Sequence, residues 1–303
     1  MIEVNGLTKR YGDVLAVDDL TFTVRPGLVT GFLGPNGAGK STTLRMILGL
    51  NRPSAGTATI EGRPFGGRRA GLRYVGALLD AGDVHPGRTA AAHLAALARS
   101  NGLPRRRVAE VLDEVGLAEV AGRRAGGFSL GMRQRLGIAT ALLGDPPVLL
   151  FDEPVNGLDP EGVRWARGFF RRLAAEGRTV LVSSHLMSEM EHTADRLVVI
   201  GRGELIADET VAEFAARGND DRVTVRTPEP AALAAALTAG GGTVRADATG
   251  ALTVTGLPAA RIGELALAHR VSLHELAPRP ASLEEAFMAL TADRAEYLAG
   301  ERR

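Results

Sequence analysis

The sequence predicts an α/β protein with a parallel sheet, followed by a smaller α+β unit. Three observations carry that expectation. A glycine-rich run, Gly34-Pro35-Asn36-Gly37-Ala38-Gly39-Lys40-Ser41-Thr42, stands between an apolar segment at 28–33 and another at 44–50. A continuous apolar segment at 147–151 ends in the paired carboxylates Asp152 and Glu153. Composition then shifts across the polar run Arg217-Gly218-Asn219-Asp220-Asp221.

The first of these is the most specific. Leu28 to Leu33 reads as a short buried strand and Leu44 to Leu50 as the start of an apolar-faced helix. Between a strand and a helix, spaced glycines followed by Lys and Ser/Thr form a phosphate cradle. The glycines let successive backbone N–H groups face one concavity, and the helix N-terminus adds positive partial charge. A nucleoside triphosphate is the implied ligand, with Lys40 on the β- and γ-phosphates and the Ser41 hydroxyl on Mg²⁺. A plain glycine-rich turn is the alternative. Among 36 Lys plus Arg, only Lys9 and Lys40 are lysines. The cradle thus carries a compact ammonium in a chain that otherwise uses Arg, and the two are not interchangeable at phosphate oxygens.

Composition bounds the rest. With 303 residues the chain can bury one large or two medium cores. A net charge of +1 argues against a nucleic-acid partner. Cys is absent, which excludes disulfides, a thiol nucleophile and thiolate metal sites, and suits a reducing compartment. The N-terminal Met1-Ile2-Glu3-Val4-Asn5-Gly6 has no basic start or apolar stretch, so no secretory signal is expected. Apolar runs are all too short to span a bilayer, so a membrane role needs a partner.

The apolar segment Pro147 to Phe151 suits a central strand of a parallel sheet covered on both faces. Ligands bind at the C-terminal edge of such sheets, which is where Asp152 and Glu153 fall. Asp152 can hold Mg²⁺, mostly through water, and Glu153 can orient or deprotonate an attacking water. Two solvated acids at a strand end are the plainer reading. Upstream, Phe128-Ser129-Leu130-Gly131-Met132-Arg133-Gln134-Arg135 precedes a helical pattern through Leu136, Ala139 and Leu143, with Ser129 as N-cap and the next amides as an anion site. An ordinary capped helix fits as well. Asn156-Gly157-Leu158-Asp159-Pro160 reads as a turn into another helix, and Thr179 to Ser184 as a strand ending at His185, in reach of a γ-phosphate.

The order and spacing of these elements over residues 1–217 resemble the nucleotide-binding domain of ABC transporters, a P-loop NTPase cassette with a RecA-like core and a helical subdomain. The resemblance makes ATP the nucleotide and ATP hydrolysis the activity. It sets Tyr11 against adenine, Gly34 to Thr42 on the phosphates, and Asp152 and Glu153 as Mg²⁺ carboxylate and catalytic base. Ser129 and Gly131 fall on the signature sequence, which reaches the γ-phosphate of an opposite subunit. Asp159 falls on the loop communicating across that dimer, and His185 on the switch histidine. Two departures stand out. The usual Leu-Ser-Gly-Gly-Gln is Phe128-Ser129-Leu130-Gly131-Met132 here, and Asp80 occupies the place of a glutamine that links Mg²⁺ to the permease interface. Both resemble the daunorubicin- and bacitracin-type resistance subgroup. That implies a separately encoded transmembrane permease, a homodimer on ATP binding, and a peripheral position at the cytoplasmic face of the membrane. Soluble ABC ATPases of translation or DNA repair are the second reading. They typically carry two cassettes, zinc-binding cysteines or long coiled-coil arms, none of which this chain shows. A kinase on the same loop would leave the signature patch unexplained.

Residues 84–144 correspond to the helical subdomain. Val108, Val111, Leu112 and Val115 share one helical face, and Asp83 to Arg88 form a turn. For 220–303 the expected order is strand 222–227, helix 229–239, strand 243–246, strand 252–255, helix 258–268 and strand 271–275, a small ferredoxin-like α+β domain. An amphipathic helix from Ser282 to Leu290 follows, with Ser282 and Glu285 as a capping box.

Overall fold

The computed structural model describes residues 1–217, 222–247, 250–278, 283, 284 and 287. Two compact units divide the chain, Met1–Thr210 and Val211–Arg303. In the first, β1 (Ile2–Tyr11), β2 (Val14–Val24), β3 (Val29–Leu33), α1 (Lys40–Ile47), β4 (Ala55–Ile60), β5 (Val75–Leu78), α2 (Ala90–Ser100), α3 (Arg106–Glu114) and α4 (Leu130–Leu142) come first. They are followed by β6 (Val148–Asp152), α5 (Pro160–Ala175), β7 (Thr179–Ser184), α6 (Met187–Glu191), β8 (Arg196–Gly201) and β9 (Glu204–Thr210).

Six strands form the central sheet in the order β5-β6-β7-β3-β8-β9, parallel except for the β8–β9 pair. A second, antiparallel sheet has the order β2-β1-β4. One apolar cluster joins Ile2, Leu7, Leu20 and Phe22 with Leu44 and Ile47 of α1 and with Phe32, Leu150, Leu181 and Val198 of the central sheet. Phe22 stacks on Phe32 at 5.5 Å. On the other side, Phe151 meets Phe170 of α5 at 4.8 Å between centroids. This two-sided cover is why the apolar run of β6 needs no polar alternation: all five residues are buried. The four apolar side chains, Val148 to Phe151, each contribute roughly 1.5–3 kcal/mol on leaving water. In the helical segment, Val111, Leu112 and Val115 of the expected face are buried, whereas Val108 is only partly so.

The sheet pairing of the first unit ends at Thr210, opposite Arg196. Helix α7 (Val211–Arg217) therefore falls in the second unit, whereas the sequence-based boundary lies at the helix's C-terminal end. Residues 218–221 lie outside the described residues. The second unit continues with β10 (Val223–Arg226), α8 (Pro230–Ala239), β11 (Thr243–Ala246), β12 (Leu252–Thr255), α9 (Ala259–Ala268) and β13 (Glu275–Pro278). Its sheet is antiparallel in the order β11-β12-β10-β13. Val223, Val225, Leu252 and Val254 pack with Leu233, Leu237, Ile262 and Ala266 of the helices. One expectation needs correction: the last strand covers 275–278, not 271–275. The Val271 amide closes α9 on the Ala266 carbonyl at 2.9 Å, and the Ser272 carbonyl accepts from the Thr227 hydroxyl at 2.8 Å. Ladder pairing starts where Glu275 comes opposite Arg226. The expected helix 282–290 and its capping box lie outside the described residues, save Leu283, Glu284 and Phe287, of which Leu283 is buried.

Candidate nucleotide site

The site grows from the junction of β3 and α1. Gly39 is the N-cap of α1 at φ 103°, with no side chain capping the first turn, so the leading amides stay available to an anion. Ala38 N–H donates to the Pro35 carbonyl at 3.1 Å, and Thr43 Oγ1 to the Gly39 carbonyl at 2.9 Å, which closes the loop. Asn36, Gly37, Gly39, Lys40, Ser41 and Thr42 line a cavity of about 220 Å³ together with Glu153 and Ala16. Ala16 reaches it from β2, a neighbour that no local pattern reveals.

Strand order explains how distant segments meet here. β7 lies between β3 and β6, and all three run parallel, so their C-terminal ends share one edge. Asp152 lies opposite Ser183 in register, and the Ser183 hydroxyl donates to Asp152 Oδ1 while accepting the Glu153 N–H at 3.0 Å. Glu153 sits at φ 48°, a left-handed conformation unusual for a side chain with a Cβ. That turn sends its carboxylate between two partners. Lys40 Nζ is 3.4 Å from Oε1, and His185 Nδ1 is 2.9 Å from Oε2. The Lys40 ammonium, only 6 % exposed, also donates to the carbonyls of Gly34 at 2.6 Å and Pro35 at 3.3 Å. A cation and an imidazole thus converge on one carboxylate at the mouth of the cradle.

Other expected site residues stand apart from this cluster. The Tyr11 hydroxyl accepts from Asn51 Nδ2 at 2.8 Å, with Lys9 Nζ 4.8 Å from the ring centroid, and Tyr11 does not line the cavity. Ser129 caps α4 by accepting from Met132 N–H, and neither it nor Gly131 lines the cavity. Asp159 caps α5, accepting the Gly162 N–H at 2.7 Å. Asp80 is exposed and accepts the Gly82 N–H at 2.7 Å, in a turn beside a different cavity that also holds Asp83 and His93.

Two further residues, to which the sequence assigns no role, contact or influence this cluster. Gln134, 6 % exposed on α4, donates from Nε2 to the carbonyls of Glu153 and Asn156. Glu189 lies on α6, four positions after His185. Burial pushes its carboxyl up, Arg167 opposes that, Glu153 reinforces it, and His185 opposes it. A buried polar residue on an otherwise apolar helix face is the signal that points to Gln134. Among the described residues no group of three His, Asp or Glu could hold a metal alone, so a cation here needs phosphate oxygens as further ligands.

A parallel sheet with a glycine loop, lysine and carboxylate at its C-terminal edge defines a phosphate-loop protein that binds nucleoside triphosphates. Comparison with known proteins narrows this. The "ABC transporter" family matches residues 17–156, and a "Domain of unknown function (DUF8746)" matches 221–284. The bacitracin transport ATP-binding protein BcrA of Bacillus licheniformis is 41 % identical over 211 residues, 69 % of each chain. A Nod factor export ATP-binding protein I of Ralstonia nicotianae is 37 % identical over 308 residues, 96 % of this chain and 94 % of that one. A solved ATP-binding subunit of an ABC transporter superposes with a TM-score of 0.66 at 30 % identity, covering 72 % of this chain and 92 % of the other. A dimeric bacterial ABC transporter cassette gives 0.65 at 25 %, covering 70 % and 99 %. The chain belongs to the ATP-binding proteins of ABC transporters, and its first unit is an ATP-hydrolysing cassette.

Proposed function

We propose that the chain is the ATP-hydrolysing subunit of an exporter of antibiotic-like molecules, working with a separately encoded membrane permease. The relatives' names support this: bacitracin transport, lantibiotic transport and Nod factor export. They do not favour a role in translation or repair. No helix among the described residues is long and apolar enough to cross a membrane, which fits a subunit held at the cytoplasmic face by its partner. The second unit is proposed as a ferredoxin-like domain, supported by its βαββαβ order and the strand arrangement β11-β12-β10-β13.

The convergence of Lys40, His185 and Glu153 carries the catalytic reading. Lys40 exchanges loop carbonyls for the β- and γ-phosphates of ATP, with the loop amides and Asn36, Gly37, Gly39 and Thr42 cradling the rest. Glu153 orients and deprotonates the attacking water, and His185, held by Glu153, meets charge on the transferred phosphoryl group. Ser41 and Asp152 would hold Mg²⁺, which neutralises charge developing on the β- and γ-oxygens. Asp152 is fixed through one oxygen by Ser183, leaving the other to face a cation. Asp80 would join that set only through water, a role supported by its place in the motif order alone, and Tyr11 offers its half-exposed ring to adenine.

Ser129 and Gly131 complete the site of a second copy. Their absence from their own cradle's cavity supports this, as does the exposed start of α4, where Leu130 is 52 % exposed. Two chains close head to tail on two ATP molecules, with Asp159 at the junction, and hydrolysis removes the γ-phosphate contacts that hold them shut. ATPase assays on the purified chain test the assignment. Glu153→Gln is expected to lower turnover by about 100-fold or more and to accumulate ATP-bound dimers, and Lys40→Ala to lose nucleotide binding. Wild-type turnover in Glu153→Gln refutes the base.

A further inference from the structure

We propose that Gln134 is a positioning residue that holds Glu153 in its working geometry and ties it to the helix carrying the signature segment. The inference rests on the reading of Glu153 as base. Glu153 is the first residue of a tight turn in which the Asn156 N–H donates to its carbonyl at 3.2 Å. Its backbone must stay left-handed at φ 48° for the carboxylate to reach both Lys40 and His185. A glutamate adopts that conformation at a cost, so contacts that hold the turn in place favour it.

The backbone is gripped on two sides. Ser183 Oγ accepts the Glu153 N–H at 3.0 Å from β7. Gln134 Nε2 donates to the Glu153 carbonyl at 3.4 Å and to the Asn156 carbonyl at 3.3 Å, spanning the turn from outside. Both neighbours are acceptors, so the amide can face them only through its NH₂ end, which settles its orientation. The opposite atom, Oε1, is buried with no partner. A buried glutamine that leaves its own acceptor unsatisfied is costly on stability grounds, and an apolar residue would fill the same space. What an apolar residue lacks is the pair of bonds to the turn. Ser129, the N-cap of the same helix, lies five positions earlier, so a shift of the signature end of α4 is transmitted to the base through one side chain.

The test uses the full chain. Gln134→Leu keeps the volume and removes the donor, and Gln134→Met is a second donor-free variant should the first not fold. Expected is a fall in kcat of about 10- to 100-fold with ATP affinity within about twofold of wild type. The decisive measurement combines Gln134→Leu with Glu153→Gln. If Gln134 acts through the base, the double variant hydrolyses ATP at the rate of Glu153→Gln alone. Losses that multiply, or a folded donor-free variant with wild-type kcat, overturn the inference. Wild-type turnover in Glu153→Gln alone instead sinks the assignment of the base, so the two failures are distinct.

Discussion

Gly39→Ala probes the cradle through geometry rather than charge. A Cβ at this position would lie 2.6 Å from the Ala16 carbonyl oxygen and 3.2 Å from Val17 Cγ2, on backbone already at φ +103°. Ala16 stands between Leu15 and Val17, which pair with Arg10 and Lys9 of β1, so its oxygen is backbone held on both sides and does not swing away as a flexible side chain would. A left-handed alanine costs roughly 1–2 kcal/mol, and forcing a methyl against fixed backbone adds about 1–3 kcal/mol. The sum, about 2–5 kcal/mol, should lower the melting temperature of the cassette by about 5–15 °C. Gly37 is the internal control: its φ is +83°, but a Cβ there meets nothing within 4 Å. Gly37→Ala should therefore show only the backbone cost of about 1–2 kcal/mol. Differential scanning fluorimetry with and without ATP measures both. Relief of the Gly39 overlap must displace the first amides of α1, so ATP-dependent stabilisation should shrink in that variant. Equal melting points for the two variants would refute the argument from the Ala16 contact.

Further outcomes follow from the same structure. Ser183→Ala removes a fully buried hydroxyl that serves Asp152 and the Glu153 N–H together, so stability should fall by about 1–3 kcal/mol and turnover with it, read by urea denaturation and ATPase assay. His93 is held below its ordinary value by burial, reinforced by the Arg88 guanidinium. The unfolded chain therefore takes up this proton first as pH falls through about 6.5, and the folded state loses stability there. His93→Gln should flatten the stability difference between about pH 7.5 and pH 5, and an unchanged slope in urea titrations would contradict that. Lys40→Arg should bind ATP more weakly than wild type, because a bulkier forked guanidinium does not take the place of a compact ammonium in the buried space between the loop and Glu153; equal affinity by calorimetry would count against the compact-ammonium argument.

Much of this site is legible in the sequence. The loop, both carboxylates, the capping Ser129 and the strand ending at His185 stand in local patterns with local physical causes. What sequence could not supply was long-range. That β7 lies between β3 and β6 is a property of sheet order, and it alone brings His185 beside Glu153. Gln134 shares a helical face with Ile138 and Ala141, but only its long-range bonds to the turn after β6 show why a polar residue stands there. Val271-Ser272-Leu273 alternates as a strand should, yet closing α9 takes the Val271 amide first. Asp159 shows the converse: its side chain has a complete local task as a helix cap, whatever it does in an assembly.

The claim most in need of a direct test is that ATP is enclosed between two copies of the cassette. The chain has no cysteine, so single cysteines at Asn36 and at Leu130 can be introduced into separate preparations, mixed, and treated with a short thiol crosslinker. The account predicts a crosslink joining two chains, dependent on ATP and strongest in the Glu153→Gln background. A doubly substituted chain that crosslinks only within itself at saturating ATP, with no joined pair in the mixed sample, contradicts it.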